Sequence, residues 1–174
     1  MKTITAENLV RAERCIWLSA RVLERVRFEQ LFRGGASGRV FDALRAYQNA
    51  DGGFGRGIEP DFRGPISQPL NSDFALRVLA ELPQPDAAML RDTLRYVKAI
   101  TVADGGIPNT LPSVREYPRA PWWQPASDNP PGNLLPTAGI VGLLHAFDIT
   151  DAWLASATEF SSTGARARDD SPSQ

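Results

Sequence analysis

The sequence predicts an all-α protein built as an array of helical hairpins. Three observations carry that prediction. Apolar residues recur at helical spacing along most of the chain. A polar, glycine-rich knot, Asp51-Gly52-Gly53-Phe54, lies between two amphipathic stretches and returns 53 residues later as Asp104-Gly105-Gly106-Ile107. No stretch reads convincingly as a strand. A unit of helix, knot, loop and helix that occurs twice is the signature of a repeat array.

Residues 5–32 read as one long helix. Leu9, Ala12, Cys15, Ile16, Ser19, Val22, Leu23 and Val26 share one face, and Val10, Trp17 and Phe28 form a second stripe. Gly34-Gly35 ends it, because glycine adopts the left-handed conformation cheaply. A second helix spans about 37–48, with Ser37 as its cap and Val40, Ala43, Leu44 and Tyr47 facing inward. The first knot follows, then a loop rich in proline and glycine. Asn71 or Ser72 caps a third helix over 73–82, and Asp86 opens a fourth over about 86–101. The second knot leads into a long connection, 107–135, of the length that is often functional. A fifth helix begins at Pro136-Thr137 and a sixth near Asp151. From Ser161 the chain has no apolar residue larger than alanine, so 161–174 reads as a disordered tail.

Composition excludes several classes of function. Lys and Arg number 19 against 20 Asp and Glu, a net charge of −1, which gives no field to attract nucleic acid or an anionic membrane. No apolar run approaches the roughly 20 residues of a membrane span. The N-terminus lacks an apolar signal core, so a cytoplasmic location is expected. The single cysteine, Cys15, rules out an internal disulfide and reads as a buried thiol. No cofactor and no metal site is expected, since the lone Cys15 and the lone His145 are a poor ligand set.

The knots have a structural logic. Adjacent glycines let the chain reverse where side chains would clash. Asp51, and Asp104 in the second copy, accept from turn amides. Gln48 reaches the unpaired carbonyls at the preceding helix end, and Phe54 folds back onto the helices. Chemistry has two candidate sites. Glu59 and Asp61, stiffened by Pro60 and beside Arg63, read either as an acid and base pair or as carboxylates paired with Arg56 and Arg63. Trp122 and Trp123 read either as a stacking platform for a ligand or as anchors for their loop. Asp73 reads as a helix cap or as a group pointing into a cavity.

The stretch from Gln48 to Gly55 resembles the repeat of the prenyltransferase and squalene cyclase superfamily, where Gln-x-x-Asp-Gly-x-Trp or Gln-x-x-Asp-Gly-Gly-Phe closes successive hairpins. The second copy is degenerate, with Thr101 at the Gln position and Ile107 at the aromatic one. The resemblance covers about 36–147. The opening Trp17…Phe32-Arg33-Gly34-Gly35 and the run 45–65 are also similar to bacterial proteins of this superfamily. It implies an α/α toroid over residues 1–160, here a partial ring of about three hairpins. Such a ring is expected either to belong to a truncated form of a longer protein or to cover its exposed inner helices by self-association. An apolar isoprenoid-type ligand in a concave cavity is the implied function. A carbohydrate-handling toroid using Glu59 and Asp61 is the alternative, and a non-catalytic remnant or interaction module is a third. Departures from the family limit what carries over. The Asp-x-Asp-Asp acid motif of the cyclases is missing, as is the Asp, Cys and His zinc set of the protein prenyltransferases.

Overall fold

The computed structural model describes residues 4–169 and is mostly helical. It divides into two compact units, Met1–Ala46 and Tyr47–Gln174.

The first unit holds α1 (Ala6–Ser19), α2 (Val22–Arg33) and α3 (Ser37–Arg45), with α1 packed on α2 and α2 on α3. Thr5 caps α1 by accepting from the Asn8 amide at 3.2 Å. The expected single helix is two. Ala20 and Arg21 are extended, at ψ 157° and 167°. The Ser19 hydroxyl bonds back to the Cys15 carbonyl at 2.7 Å, and Arg21 pairs with Glu24 in the first turn of α2. Neither proline nor glycine marks this break. The stripe expected on α1 is not buried: no α1 residue is, and Cys15 is exposed rather than a core thiol. Leu23, Val26 and Phe28 of α2 and Val40 and Leu44 of α3 are the buried apolar side chains. Gly34 ends α2 at φ 70°, as its position predicts. Ser37 makes no cap; Ala36 stands there without a side-chain bond.

The second unit holds α4 (Pro69–Ala80), α5 (Ala87–Ile100), α6 (Leu134–Ala146) and α7 (Ala152–Asp169). α6 packs between α4 and α7 and is apolar on most sides, as a helix with two neighbours must be. α4 starts four residues earlier than its cap-like Asn71 and Ser72 imply, because Pro69 fits the first turn. Asn71 and Ser72 are therefore fully buried inside the helix. Asp86 caps α5 through the Ala88 and Met89 amides at 2.9 and 3.0 Å. α7 continues to Asp169, so 161–169 are helical where a disordered tail is expected; Ala165, Arg166 and Ala167 favour helix. Residues 170–174 of that expectation lie outside the described residues. A short antiparallel pair, β1 (Ile107–Pro108) and β2 (Gly132–Asn133), was not foreseen.

The two knots match bond for bond. Gly53 N donates to Asp51 Oδ1 at 2.9 Å, and Gly106 N to Asp104 Oδ1 at 2.8 Å. Asn49 N reaches Gly53 O and Val102 N reaches Gly106 O, both at 2.9 Å. Gly52 and Gly105 sit at φ 94° and 86°. Each aspartate also fastens the returning chain: Ser67 Oγ donates to Asp51 at 2.8 Å, and Gly132 N to Asp104 at 3.1 Å. Further on, the Phe54 and Ile107 amides donate to the hydroxyls of Ser72 and Thr137, on α4 and α6. Gln48 corrects the expectation. Its Nε2 bonds Gly52 O at 3.1 Å inside the knot and Met89 O of α5 at 3.4 Å. In the second copy, Trp153 of α7 donates instead to Thr101, at 2.8 Å.

The knots differ in tightness. A Cβ at Gly52 would lie 2.0 Å from the Asp92 carbonyl oxygen, whereas at Gly105 the nearest atom is 3.6 Å away. Gly52→Ala is expected to cost about 3 kcal/mol or more, and Gly105→Ala about 1–2 kcal/mol from its backbone alone. Urea unfolding of the two variants checks this order.

Lys98 of α5 holds Asp151, at the start of α7, at 2.8 Å. That bond, followed by the Trp153 amide, lowers the Asp151 carboxyl below its ordinary value. The contribution is therefore complete above the ordinary carboxylate range and is lost as pH falls through it. Lys98→Met is expected to weaken this acid-side loss, read as urea midpoints compared between neutral and acidic pH.

Candidate functional site

The loop carrying Glu59, Asp61 and Arg63 is zipped onto the long connection. Ala120 N donates to Asp61 O at 2.8 Å, and Arg63 N to Pro118 O at 3.0 Å. Beneath them Phe62 stacks on Trp123 with centroids 5.0 Å apart and meets the edge of Tyr117. Val114 completes this small core, which lies under two loops rather than between helices. A 3-10 turn over Pro112–Glu116 and the Arg119 guanidinium, bonded to four carbonyls, shape the connection.

The structure brings Asp61 together with both tryptophans. Trp122 Nε1 donates to Asp61 Oδ2 at 2.6 Å and Trp123 Nε1 to Oδ1 at 2.9 Å. Each carboxylate oxygen thus holds an indole, the arrangement of a loop clamp. Both oxygens are engaged by neutral donors. Glu59 is half-buried and its carbonyl accepts from the Phe62 amide, closing a turn. Arg63 has an exposed side chain. Trp123 is buried and anchors its loop, whereas Trp122 remains 69% exposed. Asp73 is not a cap, since α4 starts at Pro69. It pairs with Arg77 one turn on, at 2.7 Å, where Gly139 of α6 gives the pair room. His145 meets Thr158 at 3.0 Å between α6 and α7.

A separate concavity lies beside the first knot. One cavity, of about 520 Å³, is lined by Asp51, Ile66, Ser67, Tyr96, Ile100 and Leu111. A second, of about 440 Å³, shares Ile100 and Leu111 with it and extends to Pro108, Asp104 and Pro131. The two are neighbours that meet at Ile100 and Leu111, between the first knot and the second. Gln68, fully buried at the start of α4, sets the wall where they meet: Oε1 accepts from the Leu111 amide at 2.9 Å and Nε2 donates to Ser113 at 3.1 Å. Tyr96, on α5, packs its ring on Gly53. Burial pushes its hydroxyl above the ordinary value, and the Asp51 carboxylate adds to the effect. The hydroxyl stays protonated.

Tyr96, Gln68 and Leu111 are absent from the sequence-based candidates. No signal in the sequence marks Tyr96: the knots recur at 53 residues, whereas Tyr96 and Phe160, whose rings pack on them, stand 64 apart. Among the described residues, no helix is long and apolar enough to cross a membrane, and no three His, Cys, Asp or Glu side chains group as a metal site. Compared with protein-family models, curated proteins and solved structures, the chain matches none.

Replacing Asp61 with alanine leaves the buried Trp123 N–H without its acceptor. A loss of about 2 kcal/mol is expected, with tryptophan emission shifting to the red as Trp123 gains water. Asp61→Asn, which keeps a carbonyl oxygen, should lose less.

Proposed function

We propose that this chain is a helical-repeat binding module of the prenyltransferase and squalene cyclase type, forming part of an α/α toroid. It holds an elongated, largely apolar ligand of isoprenoid type in the groove between the two knots, without turnover. The observation that carries this reading is a pair of adjacent cavities that share Ile100 and Leu111 as lining. Aliphatic and proline side chains make up most of that lining, and such concave apolar surfaces are where small ligands bind. The doubling of the knot hydrogen bonds supports the repeat relationship. The engagement of both Asp61 oxygens by indoles favours binding over acid and base catalysis.

Trp122 supports the carbohydrate alternative. Its exposed indole is fixed by Asp61 and offers a face on which a sugar ring can stack.

One calorimetric experiment separates the two. Farnesol is expected to bind saturably, with Leu111→Glu weakening it about tenfold or more by placing a charge in the shared wall and Trp122→Ala leaving it unchanged. Saturable binding of cellobiose that disappears in Trp122→Ala would instead establish the sugar reading. Farnesol binding indifferent to Leu111→Glu would remove the groove.

A further inference from the structure

Exposed apolar side chains concentrate at the start of the chain. Nine large hydrophobic residues are exposed among those described, and seven of them lie between Ile4 and Phe32, so the open apolar surface belongs to the first unit. α1 carries the densest part of it. None of its residues is buried, and only Leu9, Glu13 and Ile16 are half-buried. These three form one stripe, turned to α2, where Glu13 pairs with Arg33. The opposite side of α1 is uncovered. A helix of 14 residues is marginal in water on its own and draws its stability from what packs against it.

The uncovered side has a definite order. Glu7, Val10, Arg11, Arg14, Trp17 and Leu18 follow one another at helical spacing and share one face. Val10 is 59% exposed and Leu18 74%. Trp17 is exposed as well, with its ring held by the Arg25 guanidinium of α2 at 5.6 Å. The other three glutamates of the first unit pair inside it, Glu13 with Arg33, Glu24 with Arg21 and Glu29 with Arg39. Glu7, Arg11 and Arg14 make no ion pair among the described residues. The face therefore offers charge of both signs together with apolar surface.

Charge narrows what fits it. The order from acid to base along the face is complementary to itself. With two α1 helices antiparallel about a two-fold axis that crosses between Val10 and Arg11, Glu7 of each copy stands opposite Arg14 of the other. Arg11, next to the axis, lies within a turn of the same glutamate. Trp17 and Leu18 pass over the start of the facing helix, where Ile4 is exposed. A parallel pair would oppose Glu7 to Glu7 and Arg14 to Arg14, and like charges in contact are destabilising.

We propose that this face of α1 is an interface between two copies of the chain, with the helices antiparallel. Val10, Trp17 and Leu18 supply the apolar surface that association buries, and the two Glu7 and Arg14 pairs set its direction and register. The interface lies in the first unit and is independent of the ligand reading, which concerns the second.

Analytical ultracentrifugation of the wild type, of Glu7→Arg, of Arg14→Glu and of an equimolar mixture of the two variants tests it. The wild type is expected to dimerise reversibly. Each charge reversal is repeated across the two-fold axis, so each variant alone should dimerise about tenfold or more weaker. The mixture should recover the wild-type affinity, because one chain of each kind opposes unlike charges at both contacts. That recovery separates a lost contact from a lost fold. A wild type that stays monomeric into the millimolar range overturns the interface. So do variants that dimerise as tightly as the wild type, or a mixture as weak as its components.

Discussion

A single carboxylate, accepting the amide two residues ahead of it, is the constraint on which the second unit depends. At Asp51 and again at Asp104 this contact closes a turn that only glycine can make next door. The same side chain then catches the chain on its return, at Ser67 or Gly132. One acidic residue thereby fixes where a helix stops and where the loop re-enters. The second glycine of each knot, Gly53 or Gly106, leaves no space for a Cβ, so a ring from α5 or α7 lies directly on the turn. Hydrophobic burial stabilises α4 and α6, and the Ser72 and Thr137 hydroxyls tie each of them to its knot.

Much of this was legible from residue order alone. The apolar period located most of the helices, and the Asp-Gly-Gly pairs marked the reversals, because both signals are local. What failed was nonlocal or conditional. Asn71 and Ser72 look like caps, yet Pro69 supplies an earlier start and buries them. The break at Ala20 leaves no glycine or proline as a trace. Asp61 is an ordinary loop acid until it meets two indoles some sixty positions away. Tyr96 carries no signal as a helix residue; its place on Gly53 exists only once α5 folds back onto the first knot.

Polar residues in this protein divide by what answers them. Asp61 and Asp73 attract notice in the sequence, and both have their oxygens bonded to neighbours, indoles in one case and a guanidinium in the other. Gln68 draws no notice and is fully buried, yet it sets Leu111 and Ser113 in the cavity wall with a donor and an acceptor. An ionisable side chain on a loop is therefore weaker evidence for a site than a buried neutral one that shapes a cavity.

The crossing between each knot and the helix packed on it, α5 or α7, reverses its polarity. In the first copy the knot donates, from the Gln48 amide to Met89 O; in the second the helix donates, from the Trp153 indole to Thr101. The contact persists while donor and acceptor trade sides. A glutamine placed at 101 would bring both a donor and an acceptor to that crossing, and its Oε1 is suited to accept the Trp153 indole N–H. The two copies therefore hold the same crossing with different chemistry, an amide on a carbonyl in one and an indole on a hydroxyl in the other.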